Sequence, residues 1–414
     1  MSEYLPDIIE EHIEEACFLW AHYHSAAYAA NYHFEDLKFI EQRMQAHVDG
    51  FMLAPAQAKH LALDILTMDS ASHFFVCAII CLGAEDDIAL FQLLQAIAEE
   101  HTFSAGVVDA FAFVDKRLAR LAVNKLLQQE DELYQILGLL AWHRIGGKLS
   151  QLQKAMNLSQ ANEFQPIILR LIGEQADEIN RVYLFHFLES KDPHLQLEAA
   201  RALSLFREYR GVEKLKQLCD HPDVDFDDIA SVLMRVLAHQ EAVMLVDALI
   251  SRRQIEKAIA AIHHFADPRY VPYLLIQMLD KQHYAAACHA FFQITGILGK
   301  DECLLKTLDE IDGFGKLSPQ AYPEYDLAKL ENWWQQQSTS YKTGVRHFMG
   351  QILSPELVVQ ALQYSRQSHR HWAAKEFALM DANNPLLDVA EPCRLQHMKL
   401  AGVALMQQKA QTYG

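Results

Sequence analysis

The sequence predicts an all-α protein, an α-solenoid of stacked helical hairpins with a helical cap at each end. In one segment after another, apolar residues recur three and four positions apart, which is the period of an amphipathic helix. These segments begin at residues 69, 102, 131, 162, 192, 223, 254 and 281. Successive starts therefore lie 27 to 33 residues apart. This spacing is the length of one helical hairpin, and a hairpin buries its apolar side only by stacking on its neighbours.

A second series of amphipathic segments lies between the first, for example "EAVMLVDALI" (241–250). Long alternating patterns typical of β-strands are nearly absent from the sequence. Asp192 precedes Pro193 and is predicted to cap a helix that begins at the proline, where a missing amide hydrogen costs little. The repeat array is predicted to cover residues 61–311.

Three further segments flank this array. Residues 1–60 contain two predicted helices and are interpreted as the N-terminal cap. Residues 312–343 are richer in Gly, Pro, Ser and Gln, which predicts a loop-rich linker with one short helix. Residues 344–414 return to a helical pattern and are interpreted as the C-terminal cap, with Ser354 as the N-cap of a helix that continues past Trp372.

Charge and composition exclude several classes of partner. Lys and Arg number 36 against 54 for Asp and Glu, which gives a formal charge of −18 and disfavours binding to nucleic acid. The first residues are acidic and lack the pattern of a secretory signal. The longest apolar run, "FFVCAIICLGA" (74–84), is too short to cross a bilayer. We therefore expect a soluble cytoplasmic protein with no nucleic-acid or membrane partner.

The sequence contains no recognisable catalytic, phosphate-binding or zinc motif. Its 21 histidines include close pairs such as His22 with His24 and His369 with His371. Alternate residues of a helix point to different faces, so these pairs do not chelate a metal naturally. We therefore predict no catalytic residue, no metal and no cofactor.

Two stretches, residues 192–220 and 267–296, resemble short HEAT repeats. "EEACFLW", "RMQAHVDG", "NWW" followed by "GVRHFMG", and "SPELVVQALQYSRQSHRHWAAKEFAL" resemble a family of uncharacterised proteobacterial HEAT-repeat proteins. Genes of that family often lie near type VI secretion spike and effector genes. The resemblance spans nearly the whole chain and implies a cytoplasmic accessory protein of a contractile secretion machine. It implies no catalytic residues.

The helical array, the acidic charge and the resemblance together favour a non-enzymatic protein-binding scaffold. The expected role is a cytoplasmic adaptor or chaperone that holds a type VI secretion effector or spike component before loading. Two alternatives stay open at this point. One is an immunity-type inhibitor of a toxin, and the other is an enzyme with a His-lined groove.

Candidate partner-binding residues lie in the last quarter of the chain, where Trp and Arg, the residue types that dominate protein interfaces, come close together in sequence. They are Trp333, Trp334, Gln363, Arg366, His369 and Arg370. Arg366 and Arg370 are four residues apart and are predicted to share a helix face that contacts an acidic patch, either on a partner or on the preceding repeats. Trp372 is predicted to point inward. The competing interpretation of Trp333 and Trp334 is that they anchor the tail on the last repeats.

Overall fold

The structure is a computed structural model that describes residues 6–29, 31–65, 70–99, 104–151, 165–297 and 325–413. Within these ranges it contains twenty-one α-helices and one short antiparallel β-hairpin, which confirms the predicted all-α class. None of the helices in these ranges combines the length and the apolar character that a membrane span requires.

Contacts within the chain divide it into two compact units. Unit 1 comprises Met1–Ile168, Gln363–His371 and Leu387–Gly414. Its helices are α1 (Pro6–Tyr28), α2 (Phe34–Phe51), α3 (Pro55–Ile65), α4 (Ala71–Gly83), α5 (Asp87–Glu99), α6 (Ser104–Ala110), α7 (Lys116–Leu127), α8 (Glu132–Arg144) and, later in the chain, α21 (Cys393–Tyr413).

Unit 2 comprises Leu169–Leu362 and Trp372–Leu386. Its helices are α10 (Arg181–Phe187), α11 (Pro193–Leu205), α12 (Tyr209–Leu218), α13 (Phe226–Val236), α14 (His239–Ser251), α15 (Ile255–Phe265), α16 (Val271–Gln277), α17 (Tyr284–Thr295) and α18 (Leu327–Gln337). Three helices contain residues of both units, namely α9 (Gln165–Glu174), α19 (Pro355–Tyr364) and α20 (Gln367–Met380). The strands of the hairpin are β1 (His347–Phe348) and β2 (Gln351–Ile352).

Helix α4 is the core of unit 1. It packs against α1, α3, α5, α6 and α7, and its residues from Phe74 to Leu82 are all buried. A helix that is apolar on every side is stable in water only when other helices surround it, and the sequence "FFVCAIICL" is of this kind. Burial raises the pKa of the Cys77 thiol to about 12, so this cysteine is a protonated core residue.

A buried charge network ties the ends of several unit 1 helices together. Arg144, the last residue of α8, pairs with Asp109 of α6 at 2.6 Å and with Asp388 at 2.9 Å. Asp109 also accepts a hydrogen bond of 3.0 Å from the indole Nε1 of Trp20 on α1. Burial alone would lower the pKa of Arg144, but the two carboxylates raise it, so this guanidinium stays charged.

Alternate helices of unit 2 pack in the order in which they occur in the chain. Helix α11 contacts α13, α13 contacts α15, and α15 contacts α17, while α12, α14 and α16 lie between them in sequence. Asp192 accepts a hydrogen bond of 2.8 Å from the His194 amide, which confirms the predicted cap of α11. Gly211 lets α12 approach α11 closely, because a Cβ there would lie 2.7 Å from the Ala200 carbonyl oxygen.

All eight predicted repeat starts lie within three residues of a described helix, in order α4, α6, α8, α9, α11, α13, α15 and α17. Three of these starts, residues 69, 102 and 162, lie outside the described residues, as do residues 298–324. The first part of the predicted linker, residues 312–324, is therefore not described. Its second part contains α18, the single short helix predicted there.

Residues 341–350 cover the C-terminal ends of α15 and α17. The His347 amide donates to the Ala266 carbonyl at 2.8 Å, and the Gly350 amide donates to the Ile294 carbonyl at 3.0 Å. The last carbonyls of a helix lack partners within that helix, so this segment satisfies groups that burial would otherwise leave unpaired. Gly296 makes the approach possible, since it adopts a φ of 67° and a Cβ there would lie 2.3 Å from the Met349 carbonyl carbon.

The C-terminal region differs from its prediction in two respects. Ser354 does cap a helix, because its hydroxyl accepts from the Leu357 amide at 3.2 Å. However, the expected continuous helix past Trp372 is wrong, since α19 ends at Tyr364 and α20 begins at Gln367. In addition, residues 344–414, which the sequence grouped as one cap, are divided between the two units.

Candidate protein-binding surface

Arg370 lies in the interior of unit 1, not on a surface. Its side chain is fully buried, its guanidinium donates to the side-chain oxygens of Gln367 and Gln396, the latter at 2.6 Å, and it lies 4.8 Å from the centre of the Phe34 ring. Burial lowers the pKa of this guanidinium to about 10. The prediction that Arg370 is available to a partner is therefore corrected, because its side chain connects α20 with α2 and α21.

Arg366 does not share a helix face with Arg370, contrary to the prediction. It lies in the break between α19 and α20, where its backbone pairs with that of His33, and the next amide, of Gln367, donates to the Tyr32 carbonyl at 2.7 Å. This pairing with the α1–α2 connection explains why the helix is interrupted. Gln363 and Arg366 are partly exposed, whereas His369 is buried.

The different burial of Arg370 and Arg366 predicts that their replacement changes the free energy of unfolding by different amounts. We expect Arg370→Ala to lower the free energy of unfolding by about 1–3 kcal/mol, because it leaves the buried oxygens of Gln367 and Gln396 without this donor. Arg366→Ala is the matched control and is expected to change stability by about 0.5 kcal/mol or less, since its side chain is partly exposed. Thermal and urea unfolding of both variants measure the difference. Equal losses would contradict the structural role assigned to Arg370.

Trp333 and Trp334 pack onto the end of unit 2. The Trp334 side chain is buried with its ring centre 5.1 Å from that of Tyr341, and the Trp333 ring centre lies 6.1 Å from that of Phe291 on α17. Tyr341 in turn donates to the Thr295 carbonyl at 3.1 Å. These contacts fit the interpretation that the two tryptophans anchor this segment on the last helices of the array. Trp333 remains partly exposed.

A second buried charge cluster lies in unit 2 and consists of Arg235, Arg346, Trp372 and Glu376. The Arg235 Nε lies 2.7 Å from a Glu376 oxygen, and the Arg346 Nη1 donates to the other Glu376 oxygen at 2.9 Å. Both guanidiniums lie over the Trp372 ring, at 4.8 and 5.4 Å from its centre. Trp372 is buried, which confirms that it points inward. One carboxylate thus compensates two largely buried cations.

Histidines of α15 and α17 adjoin this cluster. His264 contacts Arg235 through Nδ1 at 3.0 Å and Asp227 through Nε2 at 3.1 Å. The His263 and His289 ring centres are 4.4 Å apart. Burial is the main cause that lowers the pKa of His263 and His264 well below 6.5, so both rings are neutral at pH 7. In the described part of the chain, no group of three or more His, Cys, Asp or Glu side chains is arranged to hold a metal.

In unit 2 the helices α10, α12, α14 and α16 alternate along the chain with α11, α13, α15 and α17, and we call them the second helices. They form the most distinctive surface of the unit. Each of α10, α12, α14 and α16 carries a large apolar side chain in water, and another follows the end of α16. These side chains are 61 to 72 % exposed and belong to Val182, Tyr209, Met244, Ile276 and Leu279. We call these five residues the second-helix face. Single exposed apolar residues are ordinary, but one on each of four successive helices is the pattern of a binding surface.

Polar contacts connect the four helices of the second-helix face in chain order. Arg181, next to Val182, pairs with Glu208 at 3.3 Å, and Glu208 directly precedes Tyr209. Lys216 of α12 pairs with Glu241 of α14 at 3.0 Å, one turn before Met244.

The link from α14 to α16 is made by Tyr270, in the single turn before α16, whose hydroxyl donates to Asp247 at 2.9 Å. The ion pairs of Arg181 and Lys216 are partly exposed to solvent, and such pairs contribute little to stability individually. In these contacts the carboxylates of Glu208, Glu241 and Asp247 outnumber the cations of Arg181 and Lys216.

Sequence reasoning missed the second-helix face because it assigned each second helix one apolar stripe and treated the remaining positions as solvated. A signal was present around α16, where Pro272, Ile276 and Leu279 are spaced four and three apart and oppose the buried Val271, Leu274 and Met278. When a helix has two apolar stripes, its neighbours in the chain bury one of them and leave the other exposed.

No protein-family model matches the chain, no curated protein matches it, and no solved structure matches it.

Proposed function

We propose that the chain is a non-enzymatic protein-binding scaffold built from HEAT-like repeats that stack as a solenoid. The observation that carries this proposal is the second-helix face, which presents one or more large apolar side chains on each of α10, α12, α14 and α16. Repeat proteins of stacked helical hairpins use such extended surfaces to bind other proteins. The hairpin-length spacing of the helix starts supports the solenoid arrangement.

The chemistry of the second-helix face defines the partner. Near its apolar side chains lie Glu208, Glu213 and Glu241, which share only two cations, because Glu208 pairs with Arg181 while Glu213 and Glu241 both pair with Lys216. The whole chain carries a formal charge of −18. A partner surface with an apolar centre and a basic rim would bury the apolar residues and complement this charge.

The role proposed for the scaffold is that of a cytoplasmic adaptor or chaperone that holds a type VI secretion effector or spike component before loading. This part of the proposal rests on the resemblance of "EEACFLW", "GVRHFMG" and the segment from residue 354 to 379 to the proteobacterial HEAT-repeat family. Strains that lack an adaptor are impaired in secretion but unharmed by their siblings, whereas strains that lack an immunity-type inhibitor are killed by them.

The experiment is a binding assay between the purified chain and each spike and effector protein of a type VI secretion cluster. We expect one of them to bind, and Met244→Glu with Ile276→Glu to weaken that binding about tenfold or more, since both side chains would lie in the buried centre of the interface. Ile88→Glu is the matched control, because Ile88 is 75 % exposed in unit 1 and lies outside the second-helix face. Failure of every cluster protein to bind, or full binding by the double variant, would refute the proposal.

A further inference from the structure

Unit 1 contains a cavity that the proposed scaffold role does not use. It has a volume of about 520 Å³ and lies between the segment that joins α6 to α7, the end of α8 and the first turns of α21. Its floor is apolar and consists of the buried side chains of Phe111, Ala112, Ile145 and Leu395. A volume of this size is within the range of small-molecule sites, which are concave and mostly apolar with a few polar groups.

Two cations stand at the mouth of this cavity. Lys116 and Arg394 line it, and both residues are exposed. Neither forms an ion pair with any residue that the structure describes. The Arg394 guanidinium lies 5.9 Å from the centre of the Phe113 ring, which holds it beside the opening. The cavity therefore combines an apolar floor with two positive charges, of which Arg394 is also attracted by the Glu41 carboxylate.

The acidic groups nearby are engaged in capping helices. Asp115 accepts hydrogen bonds from the Arg117 amide at 2.9 Å and the Leu118 amide at 3.4 Å, at the start of α7. Glu41 accepts from the Cys393 amide at the start of α21. Both carboxylates thus face helix N-termini, whose partial positive charge and free amide hydrogens stabilise them. Neither carboxylate forms a close ion pair with Lys116 or Arg394, although Glu41 attracts the Arg394 guanidinium at longer range.

An adjoining depression limits where a charged ligand group can sit. It shares Val114, Asp115 and Arg394 with the cavity, and the rest of its lining is Phe113 and polar residues that include Glu41 and Asp49. A negative group placed in that depression would be repelled by these carboxylates. The favourable position for an anion is therefore the side of the mouth between Lys116 and Arg394.

We propose that this cavity binds a medium-chain acyl carboxylate, with the hydrocarbon chain on the apolar floor and the carboxylate between Lys116 and Arg394. An acyl chain fits this floor better than a peptide, because each peptide amide buried there without a partner would lose its hydrogen bonds to water. The flexible Met398 side chain, which lines the cavity and is 59 % exposed, is placed to fold over the chain.

The test is isothermal titration of the purified full chain with decanoate, decan-1-ol and decylamine, which share a hydrocarbon chain and differ in charge. We expect decanoate to bind about tenfold or more tightly than decanol, and decylamine to bind least. Combined Lys116→Gln and Arg394→Gln substitutions should remove the preference for decanoate over decanol. Arg120→Gln, at an exposed cation on the same helix that does not line the cavity, should leave this preference unchanged.

Met398→Glu supplies a second variant that tests the location of the hydrocarbon chain. The substitution changes an exposed position, so the circular dichroism spectrum and the melting temperature are expected to stay unchanged. The binding of decanoate is expected to weaken about tenfold or more. The proposal is overturned if decanoate fails to bind, if decanol binds as tightly as decanoate, or if a peptide with an apolar C-terminus binds and decanoate does not. Because this assay needs no protein partner, its outcome is independent of the scaffold role.

Discussion

Glu376→Ala is expected to lower the free energy of unfolding by about 3–5 kcal/mol, the largest effect of any single substitution considered for unit 2. Glu376 is 5 % exposed and is the carboxylate that contacts both Arg235 and Arg346. Its removal leaves two guanidiniums close together without their counter-charge, and the Arg235 side chain is almost completely buried. The cost of an uncompensated buried charge exceeds the modest net contribution that the intact pair makes to stability.

Urea unfolding followed by circular dichroism measures this loss, and hydrogen exchange shows where it acts. Faster exchange is expected first in α13 and in residues 346–353, which carry the two arginines. Glu331→Ala is the control, because Glu331 is an exposed glutamate on α18 of the same unit and its loss should change stability by about 0.5 kcal/mol or less. A loss below about 1 kcal/mol for Glu376→Ala would show that water or other groups compensate the arginines.

Local signals in the sequence were sufficient to predict the helices. Their positions follow from apolar periodicity, and their starts follow from caps such as Asp192 and Ser354, because both depend on residues within one or two turns. The hairpin-length spacing is a local signal of the same kind, repeated along the chain. These features were therefore within reach before any coordinates were known.

Interactions between residues distant in sequence could not be predicted. The break between α19 and α20 arises because the backbone at Arg366 and Gln367 pairs with Tyr32 and His33, and nothing in the residues around the break indicates that pairing. The charge cluster likewise joins Arg235 of α13 with Glu376 of α20. Neither residue has a distinctive local context.

The exposure of His369 and Arg370 was misjudged for a related reason. The spacing of charged residues four apart predicts that a helix exposes them on one face. Helix α20 is instead buried on several sides, since the consecutive residues Trp372, Ala373 and Ala374 are all buried, as is Arg370. An arginine in such a helix becomes part of the core, where its hydrogen bonds matter more than its charge. Surface exposure thus depends on what surrounds a helix, which its own sequence does not specify.

Acidification from pH 7.5 to pH 5.5 is expected to destabilise unit 2, because of the neutral histidines beside Arg235. The Arg235 guanidinium is always a donor, so the His264 Nδ1 that contacts it must accept, which leaves the ring proton on Nε2 to be donated to Asp227. If the His264 ring bound a second proton, that proton would lie on Nδ1 and point at the Arg235 guanidinium. The cations of Arg346 and Lys375 are also near, and the carboxylates of Asp227, Asp228 and Glu376 oppose these positive charges.

The direction of the effect follows from proton binding in the two states. The pKa of His263 and His264 is lowered in the folded protein, so the unfolded chain binds more protons once the pH falls below the ordinary histidine value near 6.5. Stability is therefore complete above about pH 7.5 and decreases by up to about 1.4 kcal/mol per pH unit for each such histidine as the pH falls through 6.5. Burial lowers the pKa of Lys375 to about 8, so this side chain takes up its proton mostly above the range from pH 7.5 to pH 5.5.

Melting temperatures at pH 7.5, 6.5 and 5.5 provide the measurement, with hydrogen exchange of α13 and α15 as the local readout. His264→Gln is expected to reduce the slope, because a glutamine amide can accept from Arg235 and donate to Asp227 without binding a proton. His186→Gln changes an exposed histidine of α10 in the same unit and should retain the full slope. If the melting temperature stays constant down to pH 5.5, or if both variants show the same slope, the neutral histidine beside Arg235 is not the source of acid sensitivity.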